Sequence, residues 1–409
     1  MSASSVRSVT SGGPLRAGRP EPDLVERVRE LLAARQVAVP DESDLRSAVQ
    51  ACGLVLDQWA MAQLLSALRS ELAGLGPLEP LLRDPRVTDV LVNGPNAVWV
   101  DRGAGLVRAP VAFSDEAAVR RLAVRLAALA ARRLDDASPW VDARLPSGQR
   151  LHAVIPPLSV SGTLISLRVP SRRRFTLADL EQSGSVDTTA AGWLRALVAA
   201  RATFLVTGGT GSGKTSVLGA LLGLVPARER IVVVEDTCEL APDHPHVVSL
   251  EARAPNVEGA GEIPLRTLVR QALRMRPDRL VVGEVRGAEV VDMLSGFNTG
   301  HEGGCGTLHA NSAAAVPDRV AALALAAGMS LEGVGAQLGA GLEAVVHLAR
   351  LPDGRRIVAE IGVVCADGPR PQVRPALIHR DGGWVHGSEA ARLAQRLRLP
   401  AGLAPGGRA

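Results

Sequence analysis

The segment Gly208-Gly209-Thr210-Gly211-Ser212-Gly213-Lys214-Thr215 constrains this chain more than any other. It fits G-x-x-x-x-G-K-[ST], a phosphate-binding loop that works only where a strand delivers it and a helix leaves it. Small residues let backbone N–H groups turn inward around phosphate oxygens. The lysine reaches the β- and γ-phosphates, and the threonine hydroxyl ligates Mg2+. The flanks agree: Phe204-Leu205-Val206 reads as the strand, and residues 216–224 as a helix that Pro226 stops. That helix aims its positive end at the anion. The nucleotide-binding set is therefore Gly208, Gly209, Thr210, Gly211, Ser212, Gly213, Lys214, Thr215 and Ser216, with ATP and Mg2+ as the ligands expected. The competing reading is a plain turn in a glycine-rich protein.

Composition adds weight to Lys214. The chain of 409 residues holds 46 lysines and arginines, of which Lys214 is the single lysine, so 46 − 1 = 45 are arginines. Abundant arginine without tyrosine reads as a bias of GC-rich coding DNA, so most arginines need no functional account. The net charge of +4 is close to balanced, which argues against direct nucleic-acid binding by charge. Few aromatics argue against a base-stacking binder. Cys52, Cys238, Cys305 and Cys365 are scattered without a C-x-x-C pair, so neither a disulfide framework nor a zinc ribbon is expected. No apolar run reaches the ~18–20 residues that span a bilayer. A cytoplasmic protein is expected, touching a membrane only through partners.

The chain is too long for one ordinary domain. Residues 1–20 read as a disordered leader and 21–73 as a helical segment, with one helix over about 23–36 and another over about 43–72. Residues 74–170 read as an α+β domain. Its signals are Val87-Thr88-Asp89-Val90-Leu91-Val92 running into Asn93-Gly94, a return strand at 98–100, a helix over 115–133, and strands over 142–154 and 163–169. A charged connector occupies 171–186. Over 187–395, apolar runs at 204–207, 231–234, 280–282 and 306–309 alternate with helical stretches, as in a largely parallel α/β sheet. Further strands are expected at 344–351, 356–364 and 373–379, and a flexible tail at 396–409.

Three further segments carry chemistry. Leu280-Val281-Val282-Gly283-Glu284-Val285-Arg286 is an apolar strand ending in an acid, the way phosphate-loop enzymes place a carboxylate beside Mg2+ and the attacking water. Glu235, Asp236 and Glu239 follow the strand over 231–234, where carboxylates face the ligand crevice of a parallel sheet. For Asp236 or Thr237 the alternative is a cap at the start of a helix. Gly300-His301-Glu302-Gly303-Gly304-Cys305-Gly306-Thr307-Leu308-His309 sets a histidine after a glycine-rich turn and a strand, although a lone histidine is more often structural.

These four elements, in this order, resemble the secretion ATPase superfamily of type II and type IV secretion and pilus systems, and most of all its TadA/CpaF branch, the motor of tight-adherence (Flp) pili. Gly74-Leu75-Gly76-Pro77-Leu78-Glu79-Pro80-Leu81-Leu82, Asp142-Ala143-Arg144-Leu145-Pro146-Ser147-Gly148-Gln149-Arg150 and Ile165-Ser166-Leu167-Arg168 look like the N-terminal domain of that branch. The resemblance covers roughly residues 70–365. It implies a RecA-like ATPase domain behind a smaller α+β domain, a homo-hexameric ring, and an inner-membrane platform protein as partner. It implies that Lys214 and Thr215 hold phosphate and Mg2+, and that Glu284 is the Walker B glutamate near the metal. Glu235 and, less centrally, Glu239 become Asp-box carboxylates. His309 becomes the His-box histidine, accompanied by His301. Arg144, Arg150 and Arg168 match arginines that reach nucleotide phosphates, and Arg286 is placed to bridge subunits. The four-cysteine zinc module of some relatives is missing, as is the C-terminal signature of retraction motors. Two other functions stand beside the motor: a conjugation-type ATPase moving DNA or DNA–protein complexes, and a nucleotide-gated scaffold that does not hydrolyse.

Overall fold

Long uninterrupted apolar runs put a parallel sheet at the centre of the second half of the chain. The computed structural model describes residues 15–16, 19–35, 37, 40–103, 105–170, 174–253, 255, 259–300, 302–367, 370–380, 382–400 and 403–404. Most of the expected leader, residues 171–173 of the connector, His301 and most of the residues after 400 lie outside the described residues. The chain divides between residues 172 and 173 into two compact units.

In the first unit, a short ribbon pairs β1 (Leu15–Arg16) with β2 (Arg19–Pro20). Helices Pro22–Ala34, Glu42–Ala51 and Gln58–Ala73 then bury Val28, Leu45, Leu64 and Leu68 in a core of their own. The single helix expected over 43–72 is therefore two. Gly53 turns left-handed at φ 77, and Asp57 caps the next helix by accepting from the Ala60 N–H at 2.7 Å. Between them, Leu54 and Leu56 pack back onto the three-helix core.

The same unit holds a six-stranded antiparallel sheet in the order β5-β4-β3-β8-β7-β6. Its strands are β3 (Asp89–Val92), β4 (Val98–Asp101), β5 (Leu106–Arg108), β6 (Trp140–Arg144), β7 (Arg150–Val154) and β8 (Leu164–Arg168). Period-two alternation sends Val90, Val98, Leu151 and Ile165 into a core with Leu122 and Leu126 of the helix Glu116–Leu129. The strand expected over 142–154 is a hairpin. Gly148, at φ 97, turns it, and its N–H donates to the Leu145 carbonyl at 2.8 Å.

The second unit is built on a nine-stranded sheet in the order β11-β10-β12-β13-β9-β14-β15-β16-β17. The strands are β9 (Phe204–Gly208), β10 (Ile231–Glu235), β11 (Val247–Glu251), β12 (Arg279–Val285), β13 (Cys305–Leu308), β14 (Ala344–Arg350), β15 (Arg356–Cys365), β16 (Gln372–Arg380) and β17 (Gly383–His386). From β11 to β14 the neighbours are parallel, and from β14 to β17 antiparallel. β9 and β10 are buried at every residue, as expected of strands covered on both faces. Helices Thr188–Ala199, Lys214–Leu222 and Ala390–Leu397 cover one face. Helices Leu265–Ala272, Glu289–Phe297, Val316–Ala326 and Leu331–Gly341 cover the other. Residues after β10 run in bends rather than a helix, so Asp236 and Thr237 have no helix to cap.

A buried ion pair closes the edge of this sheet where the parallel strands begin. Arg279, 2% exposed, donates from Nε to Glu229 Oε2 at 2.7 Å and from Nη2 to the Val198 carbonyl at 3.1 Å. Gly303, at φ +75, leaves room for it: a Cβ there would lie 2.0 Å from Arg279 Nη1. The glycine-rich part of the segment over 300–309 thus serves packing at the start of β13, whereas His309 follows its end, about 13 Å away at ~3.3 Å per residue. Gly303→Ala is expected to lower stability by about 3 kcal/mol, adding left-handed strain to displacement of a buried guanidinium. Urea unfolding checks this: the midpoint drops while the slope is unchanged.

Candidate functional site

The geometry of the phosphate loop follows from where β9 ends. β9 runs between β13 and β14, so Thr207 faces Leu308 on one side and His347 on the other. A Cβ on Gly208 would stand 2.6 Å from the Leu348 carbonyl oxygen and 2.7 Å from Ser212 Oγ, so only glycine fits. Gly211 at φ +70 and Gly213 at φ +95 take the left-handed conformations that reverse the chain. Gly213 is the N-cap of the helix Lys214–Leu222. Ser212 Oγ donates to the Gly209 carbonyl at 2.9 Å, and Arg356 Nε, from the start of β15, donates to the Gly211 carbonyl at 2.8 Å. Gly209 and Thr210 are exposed at the loop's tip, and Thr215 and Ser216 are half-buried in the first helical turn.

Lys214 is drawn into the loop and is 8% exposed. Its Nζ donates to the Gly208 and Gly209 carbonyls at 3.1 and 3.0 Å and lies 3.3 Å from His309 Nε2. Burial lowers its pKa, with Glu284 opposing and Arg286 reinforcing the shift. The same His309 nitrogen is 2.8 Å from Glu284 Oε1, while Arg286 Nη2 donates to Glu284 Oε2. Burial also lowers the pKa of His309; the Lys214 charge adds to this and Glu284 works against it. A neutral imidazole is therefore favoured. The ends of β9, β12 and β13 thus bring Lys214, His309, Glu284 and Arg286 into one run of contacts, each touching the next.

Glu235 ends β10 and is 4% exposed. Its Oε1 accepts from the backbone N–H groups of Glu239 at 3.2 Å and Leu240 at 3.1 Å. Its Cγ lies 2.3 Å from where a Cβ on Gly283 would sit, so the side chain crosses the residue just before Glu284. Burial pushes the Glu235 carboxyl up to about 7, against the pull of those backbone N–H groups. Asp236 and Glu239 are exposed on the loop that follows.

In the first unit, the three arginines stand in one row. Arg144 faces Arg150 across β6 and β7, and Arg150 faces Arg168 across β7 and β8. Arg150 pairs with Asp142 through two bonds of 3.1 and 2.7 Å, and Arg168 Nε lies 3.7 Å from Asp89 Oδ1. Like charges directly opposite cost stability, so the row has an electrostatic price that these aspartates lower.

Sequence reasoning missed Gly283, Thr307 and Arg356. A glycine inside an apolar strand marks a close approach and was a usable signal for Gly283. Nothing local pointed to Arg356, which reaches the loop only because β15 folds back beside β14. Chemically, the site can hold an anion against loop amides and a buried ammonium. It also sets a carboxylate beside an imidazole whose pKa is lowered by burial.

A family model described as type II/IV secretion system protein matches residues 71–371. A Mycobacterium tuberculosis (strain ATCC 25618 / H37Rv) protein, provisionally named as a conjugal transfer protein, is 52% identical over 340 residues, 82% of this chain and 96% of that protein. The type IV secretion system protein VirB11 of Brucella suis is 34% identical over 277 residues, 61% of this chain and 76% of that one. Among solved structures, the ATPase DotB of Yersinia pseudotuberculosis aligns with a TM-score of 0.51 at 16% identity, covering 69% of this chain and 77% of that one, which is a likeness of fold. The α/β, RecA-like architecture expected from the sequence is the one observed.

The raised Glu235 pKa has a stability consequence. The folded chain holds a proton that the unfolded chain releases from about 4.5 upward, so Glu235 costs stability increasingly as pH rises from about 4.5 to about 7. Glu235→Gln keeps an acceptor for the two N–H groups without the charge. It is expected to exceed the wild type in stability at pH 8 by up to about 3 kcal/mol, and to match it near pH 4. Urea unfolding at the two pH values checks this.

Proposed function

The chain belongs to the type II/IV secretion system protein family, and we propose that it is an ATP-hydrolysing motor of a secretion or pilus-assembly system. The observation that carries this reading is the meeting of Lys214, Glu284 and His309 at the phosphate loop, with contacts of 3.3 and 2.8 Å through one imidazole nitrogen. A magnesium nucleotide fits the residues present. Gly211 and Gly213 take the left-handed conformations that wrap the loop, the helix Lys214–Leu222 begins at the loop, and Thr215 stands in its first turn with a hydroxyl to offer. When bound, Mg2+ supplies charge neutralisation on the phosphates.

In this reading Lys214 exchanges its loop carbonyls for phosphate oxygens. Thr215 and Glu284 would hold the metal. Glu284 also orients the attacking water, because a carboxyl held up to about 7, as in Glu235, is neutral in much of the population near pH 7. His309 contacts the γ-phosphate as a neutral donor, and Arg286 is released from Glu284 to bridge subunits. Arg144, Arg150 and Arg168 bring guanidinium charge to the phosphates as negative charge develops. Residues 74–170 and 187–395 act as the moving domain and the ATPase domain, joined by the connector over 171–186. The assembly is a homo-hexamer working on an inner-membrane platform protein from the cytoplasmic side.

Within the family, the motifs over 74–82, 142–150 and 165–168 support the TadA/CpaF branch and Flp-type pilus assembly. The 52% identity to a protein named for conjugal transfer favours one rival, a conjugation-type ATPase. Phosphate release by the purified protein with Mg2+ tests the motor reading. Turnover is expected in the wild type, and a loss of at least about 100-fold in both Lys214→Ala and Lys214→Arg, because the ammonium is held between two carbonyls of one turn. Wild-type release no faster than in Lys214→Ala, with ATP bound tightly, selects the scaffold instead. Stimulation by DNA that fades with salt selects the conjugation ATPase.

A further inference from the structure

Strand β12 carries one residue more than its neighbour at the point where the site begins. Val281 faces Cys305 and Val282 faces Gly306, yet the next facing pair is Val285 with Leu308. Gly283 and Glu284 therefore stand against Thr307 alone. That is a β-bulge, which bends a strand and re-aims a side chain. Strand parity explains why this matters: a one-residue slip moves a side chain to the other face. Glu284 is the only residue of β12 that is not fully buried.

The bulge is held from both sides. Thr307, 2% exposed, donates from Oγ1 to the Gly283 carbonyl at 2.6 Å, supplying a partner where the ladder is interrupted. From β10, the Glu235 side chain lies across the Gly283 α-carbon, where no Cβ fits. The residue immediately before Glu284 is thus fixed at its carbonyl by one neighbouring strand and at its α-carbon by the other. The Glu284 carboxylate then meets His309 at 2.8 Å and bonds Arg286.

We propose that Thr307 is a positioning residue for Glu284: by holding the carbonyl of the bulged Gly283, its hydroxyl sets the direction of the catalytic carboxylate. This rests on the hydrolytic role given to Glu284 above. Valine keeps the shape of threonine without the hydroxyl, and serine keeps the hydroxyl without the methyl group, so the two variants separate the bond from packing.

The test uses the wild-type chain of 409 residues, Thr307→Val and Thr307→Ser, with steady-state ATP hydrolysis and crystal structures of the first two. In Thr307→Val, kcat is expected to fall about 10- to 100-fold with KM for ATP changed less than about 2-fold, since a misplacement near 1 Å has that effect on rate. Thr307→Ser recovers most of the loss. In the Thr307→Val structure, the Glu284 carboxylate leaves its 2.8 Å approach to His309. Wild-type turnover in Thr307→Val, no recovery in Thr307→Ser, or a Glu284 unmoved in the variant structure would each overturn the proposal. If Thr307→Val does not fold, Thr307→Ala replaces it. If the wild type itself shows no turnover above Lys214→Ala, the motor reading falls, and the position of Glu284 in the variant structure alone decides the role of Thr307.

Discussion

In the parallel ladder that joins β10, β12, β13 and β9, Ile231 faces Arg279, Val281 faces Cys305, and Cys305 faces Phe204. Strands held in that register run out together at one edge of the sheet. Everything chemical in the second unit depends on this. Gly208, Glu235, Glu284 and His309 are up to 101 positions apart in the chain (309 − 208), and each stands within one residue of the end of its strand. Parallel pairing needs covering on both faces, and the two helical layers supply it. The bonds within each strand pair are ordinary; their common direction is what assembles a site.

At that edge the electrostatics is compact. A buried ammonium, a half-buried carboxylate and an imidazole share one nitrogen atom as their meeting point. Burial of Lys214 strengthens its side of these contacts. Burial also separates the two carboxyls by environment. Glu235 faces backbone N–H groups inside the fold and is pushed up to about 7, whereas Glu284 has Arg286 at its outer oxygen. Two acids one residue apart across a ladder thus stand in different surroundings, one closed in by backbone N–H groups and the other bonded to a guanidinium.

How far the chain could be read in advance follows from burial. The strands foreseen in the nine-stranded sheet are those with long apolar runs, such as β9, β10 and β12. Those missed in the two larger sheets, β5, β11 and β17, all lie at the edges of their sheets, where solvent on one side removes the need for apolar residues. Glu284 was legible as an acid ending a strand. The bulge that aims it was not, because it depends on the count of residues in β13 as well as β12. The two helices joined through Gly53 were read as one, because a single glycine does not outweigh helical periodicity on both sides. The row of arginines was legible only as three separate likenesses; their register belongs to the hairpin and to β8.

Lysine and arginine divide the buried basic positions by shape. Arginine fills 45 of 46 basic positions (46 − 1), so coding bias alone would have put one at 214 as well. Two buried cations allow a comparison within one unit. Around Arg279 the acceptors are spread, with Glu229 at Nε and the Val198 carbonyl at Nη2, which is the fork a planar guanidinium matches. Around Lys214 they converge, with the carbonyls of consecutive Gly208 and Gly209 both near 3 Å from a single nitrogen. A guanidinium has no single nitrogen with three donors to place there. The bias towards arginine therefore stops where the loop closes around a point charge, and the lone lysine of the chain stands where two loop carbonyls converge on one nitrogen.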